Sequence, residues 1–551
     1  MSGPTTSNDK LTRRDLLVAG GAIALGATVT GAKLGFEAFR EREIAGAIVG
    51  GASRSGHLLR AGKFPRPSEE RECGIAIVGG GIAGLSAARK LSLAGREDFV
   101  MFELDSEIGG NSRSGRNEIT AYPWAAHYVP LPGEDAQEVR EFFEEIGAIT
   151  GYDSRKRPIF NEYYLCADPH ERMLMHGRWQ ETILPSTGLS PEDKRQMAEF
   201  HDLMESFRAA RGRDGRRAFS IPVVESSRDE KFLSLDAVTF ADFLAGKGLD
   251  CEPLRWYVDY CCRDDYGTEA ADVSAWAGIH YFASRGADAA NAESSAVLTW
   301  PEGNGFLVDR LKGHVARRVH TDAVVFNVEP SESGVIIDQL DARTGVATRW
   351  RARAAILATP LFVTKRILRG GDLPFAENLE YAPWMVANVS LTRLPGGSGA
   401  PVAWDNVSYH SRSLGYVVAT HQNLKSRQGK SVVSYYLPLS GKNSLSERRR
   451  LQERGYEGWR DEVVADLERM HPGIRSTIER VDVWLWGHAM AKPLPGRIWG
   501  HGNWERGLHP RIALAHADLT GISIFEEAFI HGVRAAERAL RASRRGLAVN
   551  S

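Results

Sequence analysis

The sequence predicts an α/β fold in which a mixed α+β domain is inserted into a nucleotide-binding domain. Three observations predict it. A short apolar run, Ile75 to Val78, is followed at once by a glycine-rich turn and a segment of helical periodicity, Ile82 to Leu93. A second apolar run, Phe99 to Phe102, ends at Glu103, which gives a βαβ-type order. The chain has 551 residues, enough to bury a large core and to form two intimately joined domains.

Composition narrows the function classes before any motif is read. Hydrophobic residues make up 43% and charged residues 25%, as in an ordinary globular protein. The 69 basic and 70 acidic side chains leave a formal net charge of -1, so no electrostatic argument makes nucleic acid the partner. The cysteines are Cys73, Cys166, Cys251, Cys261 and Cys262, and no pair has the C-x-x-C spacing of a metal site. Adjacent Cys261 and Cys262 read as two packed thiols, with a strained vicinal disulfide as the alternative.

At the N-terminus, Thr12-Arg13-Arg14-Asp15-Leu16-Leu17 precedes an uncharged run to Gly31 that is rich in Gly and Ala. Twin arginines before a mildly apolar stretch resemble a twin-arginine (Tat) export signal. The alternative is a disordered tail ending in a short core helix. The run is short and weakly apolar for a spanning helix, and no small-x-small cleavage site stands out. Residues 1–35 are therefore expected to be a signal or anchor, with a periplasmic or extracytoplasmic location. Membrane association through this segment stays open. Residues 36–71, with mixed charge, Gly-Gly and two prolines, read as a linker.

Gly79-Gly80-Gly81-Ile82-Ala83-Gly84 supplies G-x-G-x-x-G between the first strand and its helix. Gly79 permits a tight turn, Gly81 lets backbone approach a pyrophosphate, and Gly84 lets the helix pack on the strand. The first helical residues, Ile82 and Ala83, offer unpaired N–H groups at the positive end of the dipole. Glu103 stands where an acid binds a ribose hydroxyl pair, and no arginine follows to accept a 2′-phosphate. This is a Rossmann-like dinucleotide site.

Later strands are read at Val324 to Val328, Val335 to Ile337, Ala354 to Ala358 and Ile512 to Ala515, with a terminal helix from Phe525 to Arg541. The predicted nucleotide-binding domain takes residues 72–131, 299–375 and 481–545. The predicted substrate domain takes residues 132–298 and 376–480.

Gly109-Gly110, followed by Asn111-Ser112-Arg113-Ser114, resembles the extension found in flavoproteins of the amine oxidase and phytoene desaturase superfamily. The family has Arg directly after the glycine pair; here Arg113 comes two residues later and becomes the candidate phosphate partner. Other segments are similar to the family in the same order. These are Pro301 to Phe306, the strand of Val324, Ala354 to Pro360, Trp486 to Met490 with Pro493 to Gly496, and Ala515-His516-Ala517-Asp518 before Phe525 and Gly532. The resemblance implies FAD in a glutathione-reductase-type domain, with Asp518 near the ribityl and pyrophosphate and the helix opening at Phe525 pointing toward the cofactor. Helix capping is the alternative role for Asp518.

The resemblance further implies hydride transfer from a substrate C–H to the flavin, with oxygen or another acceptor for reoxidation. An amine or polyamine is the small-molecule substrate expected first. Met385 to Leu391 resembles the strand that carries a lysine in the amine-oxidising branch, but Ala387 or Asn388 occupies its place, and Gly521 falls where an aromatic is usual. A desaturase or isomerase of a lipid or isoprenoid-like substrate, and a non-catalytic flavoprotein in a membrane complex, are the alternatives. His127, His488 and Lys492 are the candidate acids, bases or water holders, with plain packing as the simpler role for each. Glu526 and Glu527 suit the start of the last helix. Trp256, Tyr257, Tyr260, Tyr266, Trp276, Tyr281 and Phe282 form either a substrate pocket or a helical core.

Overall fold

The computed structural model describes residues 43–50, 53–371, 373–377, 379–424, 429–500, 504 and 507–544. The expected export signal lies outside them. Among the described residues, no helix is long and apolar enough to cross a membrane.

Strand Glu69–Val78 changes character along its length. Its charged first half is exposed, whereas the run from Gly74 to Val78 is buried. That buried half lies between Phe99–Phe102 and Ala347–Leu357, parallel to both, as expected of a strand covered on two faces. Ala323–Pro330, Val335–Asp341 and Ala347–Leu357 form an antiparallel meander that turns between Pro330 and Val335. Ile512–Leu514 then pairs in parallel with Ala355 to Leu357. Ala358 N–H donates to Val78 O, and Ala515 N–H donates to Leu357 O. The carboxyl ends of three strands from distant parts of the chain thus lie side by side, the usual ligand edge of such a sheet. Helix Ile82–Leu93 and the terminal helix Phe525–Arg544 pack on each other beside this sheet, where Ser86 Oγ donates to Phe529 O at 2.8 Å.

A second seven-stranded sheet runs Ile478–Ala491, Tyr381–Leu391, Ser431–Pro438, Tyr416–Val418, Asp405–Ser408, Glu171–Met175 and Arg178–Gln180. All eleven residues of Tyr381–Leu391 are buried. The helices Pro191–Ala209, Glu252–Tyr266 and Ala275–Ala283 share an apolar core around Phe219, Tyr266 and Trp276.

Two predicted boundaries move. Ile478–Ala491 pairs with Tyr381–Leu391 from Ile478 to Ala491, so the chain leaves the second sheet after Ala491 rather than at 481. The predicted linker contains built structure. Ile48 bridges Val483, helix Ser53–Ala61 follows, and the first strand starts at Glu69. The cysteines, Cys261 and Cys262 included, are free thiols.

Candidate functional site

At the carboxyl end of the first strand the backbone is bare. Gly79 has φ 108, and a Cβ there would lie 2.5 Å from Ala358 O. A Cβ on Gly84 would lie 1.9 Å from Gly79 O, so the helix touches its own entry turn. Gly81 caps helix Ile82–Leu93 without a side-chain hydrogen bond, and the first turn holds no acid. Its face is open: a Cβ there would meet only Gly110 Cα, at 3.9 Å. Gly110, with φ 54, comes from the second loop, which Gly109 N–H ties to Gly80 O at 2.8 Å. Two glycine loops therefore face each other across uncapped N–H groups, a cradle for an anion. Ile82 and Ala83 are buried in the first helical turn.

Glu103 joins the two loops. Its Oε2 accepts Gly80 N–H at 2.8 Å, and its Oε1 accepts Asp105 N–H at 2.9 Å. Each oxygen keeps a lone pair for a further donor. Burial pushes the carboxyl above its usual range, against those N–H groups and Arg113.

Arg113, the expected phosphate partner, turns elsewhere. Its Nη1 is 2.5 Å from Asp105, its Nη2 donates to Glu107 O at 2.8 Å, and its guanidinium lies over Trp484. Asn111, directly after the glycine pair, reaches Ala489 O at 2.6 Å. The two-residue offset from the family pattern puts the cation in the wall behind the loop. Val324 is buried in Ala323–Pro330 opposite Leu340. Phe525 opens the terminal helix and packs beside Phe143 and Phe529 in the apolar core.

Asp518 is 1% exposed. Its Oδ2 accepts Leu361 N–H at 3.0 Å and the Tyr381 hydroxyl at 2.5 Å, and His516 Nδ1 stands 3.2 Å from its Oδ1. Burial would raise its proton affinity, but His516, the hydroxyl and the amide outweigh it and hold the carboxylate below its usual value. Asp518 therefore caps helix Leu361–Ile367.

The candidate acid–base residues divide into two groups. His488 stacks on Phe362 at 4.3 Å and meets Tyr381 edge-on, and Lys492 sits 3.8 Å from Glu380, so both border Glu380–Tyr381. The His488 ring keeps open surface, while crowding and then Arg448 and Arg60 push its proton affinity down. Lys492 is buried, and its N–H donates to Glu380 O, which gives it a structural tie.

His127 belongs to a different neighbourhood. Its ring stacks on Tyr436 at 4.6 Å and approaches Trp404 at 5.6 Å, and Tyr128 meets Trp404 at 6.0 Å. Tyr128 donates to Asp264 Oδ2 at 3.2 Å, and Tyr260 donates to Asp405 Oδ2 at 3.3 Å. Burial, then Asp265, pushes Asp264 up to about 7. Burial, then Asp264 and Glu171, raises Asp405 well above its ordinary value, and burial drives His127 down to about 4. Yet His127, Tyr128, Asp264, Trp404 and Asp405 all keep accessible surface. These half-buried rings and carboxyls, drawn from distant parts of the chain, form one cluster, and the space between them is the candidate substrate chamber. Sequence reasoning missed both acids. The helix of Asp264 and the strand of Asp405 are distant in the chain, and neither acid stands in a motif.

The predicted aromatic set also divides. Tyr266 and Trp276 are fully buried in the helical core, whereas Trp256, Tyr281 and Phe282 pack with Trp404 along the chamber cluster.

The NAD(P)-binding Rossmann-like domain family matches residues 77–146. A Baeyer-Villiger monooxygenase from Pseudomonas aeruginosa is 39% identical over 101 residues, a stretch that covers 18% of this chain and 19% of that protein. Among solved structures, wild-type putrescine oxidase bound to putrescine superimposes with a TM-score of 0.59 at 17% identity, over 86% of this chain and 100% of the other. Cyclohexylamine oxidase from Brevibacterium oxydans IH-35A gives 0.59 at 14%, over 86% and 99%. A CLA-producing fatty acid isomerase from P. acnes gives 0.55 at 16%, over 85% and 98%. The fold is the α/β architecture of these proteins: a Rossmann-like dinucleotide-binding domain joined to a sheet-bearing substrate domain.

Proposed function

We propose that this chain is an FAD-dependent oxidoreductase that removes a hydride equivalent from a substrate C–H, with an amine or polyamine as substrate. The residues present fit the cofactor. The bare loops at Gly79–Gly84 and Gly109–Gly110 would hold the pyrophosphate, and the free lone pairs of Glu103 would take the ribose hydroxyls. When bound, the flavin supplies a two-electron acceptor.

The chamber carries the substrate assignment. Asp264 and Asp405 bring two carboxyls among the rings of His127, Tyr128, Trp404 and Tyr436. Carboxylates and aromatic faces both attract an ammonium. Asp264, with its proton affinity near neutrality, is suited to take the ammonium proton and so present a neutral amine for C–H cleavage. Putrescine oxidase and cyclohexylamine oxidase, both named for amines, share the fold.

One observation favours a desaturase or isomerase of a lipid-like substrate instead. Asn388, on the strand where the resemblance places a lysine, donates to Pro123 O at 3.0 Å and accepts from Ser434 Oγ at 2.5 Å, so it is committed to structure. The fatty acid isomerase has the same fold.

Anaerobic mixing with amines, polyamines, fatty acids and isoprenoids, followed at the flavin band near ~450 nm, decides between them. Bleaching by amines is the expected result. Bleaching by lipids alone overturns it in favour of the second reading, and a colourless folded protein that takes up no FAD removes both. Export by the Tat route is part of the proposal and rests on Arg13 and Arg14. Arg13→Lys with Arg14→Lys is expected to leave the protein in the cytoplasm; unchanged extracytoplasmic recovery rejects that route.

A further inference from the structure

The first turn of the terminal helix holds two buried acids in opposite states. Glu527 is satisfied: its Oε1 accepts Val223 N–H at 2.6 Å, and its Oε2 accepts the Thr520 hydroxyl at 2.7 Å. Glu526 is 1% exposed, and neither of its carboxyl oxygens has a protein hydrogen-bond partner. A buried carboxyl cannot remain so without a proton or water on it.

Glu526 opens onto a narrow, mostly enclosed cleft, lined also by Pro130, Asp135, Arg217, Ser284 and Arg285. The cleft has room for about one water and has polar groups to hold it. Arg285, in its wall, stands in the electrostatic field of both Glu526 and Asp264. Arg285 bonds Asp265 and covers the Tyr281 ring at 4.2 Å. Asp265 adjoins Asp264, the partner of Tyr128, and Pro130 ends the strand that Tyr128 begins.

We propose that Glu526 is the proton port of the chamber: through the water of this cleft it receives a proton from the Asp264–Asp265 side and passes it to solvent. The inference rests on the oxidoreductase reading, because amine oxidation leaves a proton to dispose of. The step is a proton transfer alone. An O–H bond breaks at Asp264, an O–H bond forms at Glu526 through water, and the Glu526 proton then leaves to bulk water with no electrons moved. Arg285, Asp265, Glu527, Arg217 and Asp135 are the charged groups around Glu526. Burial pushes Glu526 up to about 7, against the charge of Arg285, which suits a group that both accepts and releases near neutrality.

Infrared difference spectroscopy of the flavin-loaded enzyme, reduced by light without substrate, tests the port. A protonated-carboxyl carbonyl band is expected to titrate near neutrality, to change on reduction, and to shift within the mixing time in D2O. Glu526→Gln should lose that band. Glu527→Gln should keep it, because Glu527 is sealed by protein donors. Asp264 and Glu527 contribute bands of their own that remain in Glu526→Gln; if that variant loses no component, or the lost component ignores reduction or fails to exchange, the proposal is overturned. If Glu526→Gln does not fold, Glu526→Asp replaces it and must move the band. In amine-driven turnover, Glu526→Gln should also flatten the limb of the reduction rate near neutrality. A yellow enzyme that no amine reduces fails the substrate reading alone, since the light-driven arm still reads Glu526.

Discussion

A chamber carboxyl attracts a cation only when ionised, and Asp264 changes charge near neutrality. Below about 7 it holds a proton, so an arriving ammonium must expel that proton. Amine affinity should therefore rise with pH through neutrality and level off above it. Calorimetry in buffers of different ionisation enthalpy should show about one proton released per amine bound below that point, each such proton giving roughly tenfold in affinity per pH unit. Asp264→Asn should flatten this profile and weaken binding by about 2 kcal/mol, the scale of a lost charge-assisted hydrogen bond. An unchanged profile in the variant would place the proton elsewhere. The glycine cradle gives an equally local prediction. A Cβ on Gly81 would stand 3.9 Å from Gly110 Cα, so the branched side chain of Gly81→Val would fill the space assigned to the pyrophosphate. The purified variant should be folded by circular dichroism and colourless; wild-type flavin content would move the phosphates away from this loop.

Among the elements, the contact between helix Ile82–Leu93 and the terminal helix is set by small residues. A Cβ on Gly532 would lie 2.1 Å from Ala83 O, and backbone cannot yield as a side-chain tip can. Gly532→Ala should lower stability in urea by about 2 kcal/mol or more through overpacking, despite the better helix propensity of alanine. A stabilised variant would show that the two helices can slide. The first helix and the strands of the βαβ start were legible in the sequence because each is announced locally, by a short apolar run or a helical period with glycine at its ends. Ile478–Ala491 was not, because its place follows from pairing with Tyr381–Leu391, far away in the chain. The cradle was legible for the same local reason, since glycines are needed where backbone must come close. The chamber acids were not, because only the packing of helix Glu252–Tyr266 against strand Asp405–Ser408 brings Asp264 near Asp405. Arg113 shows the limit of reading position from a family pattern: a two-residue offset turned its side chain to Asp105.

Across the whole molecule, buried titratable groups pull stability in opposite directions with pH. Burial drives His280 and His471 down to about 4 and His531 down to about 3. Their neutral forms favour the fold above their unfolded value, and that contribution is lost as pH falls toward 4, because the unfolded chain takes up the protons. Burial drives Glu526 and Glu527 up to about 7. Their contribution is fully present below the unfolded value of 4.5 and is lost as pH rises through 7, because the folded chain must now ionise carboxyls that the unfolded chain ionises freely. The two sets therefore oppose each other across weakly acid pH. Glu527→Gln isolates one term. Its neighbours Thr520, Val223, His531 and Arg534 remain, so any loss of hydrogen bonding shifts the variant by an offset common to all pH values. Relative to wild type, the variant should then gain about 3 kcal/mol between pH ~4 and pH ~8, from the difference between 4.5 and about 7 at 1.36 kcal/mol per pH unit. Denaturant unfolding of both proteins at several pH values measures this directly. A stability difference that stays flat with pH would mean that Glu527 is ionised throughout in the folded chain.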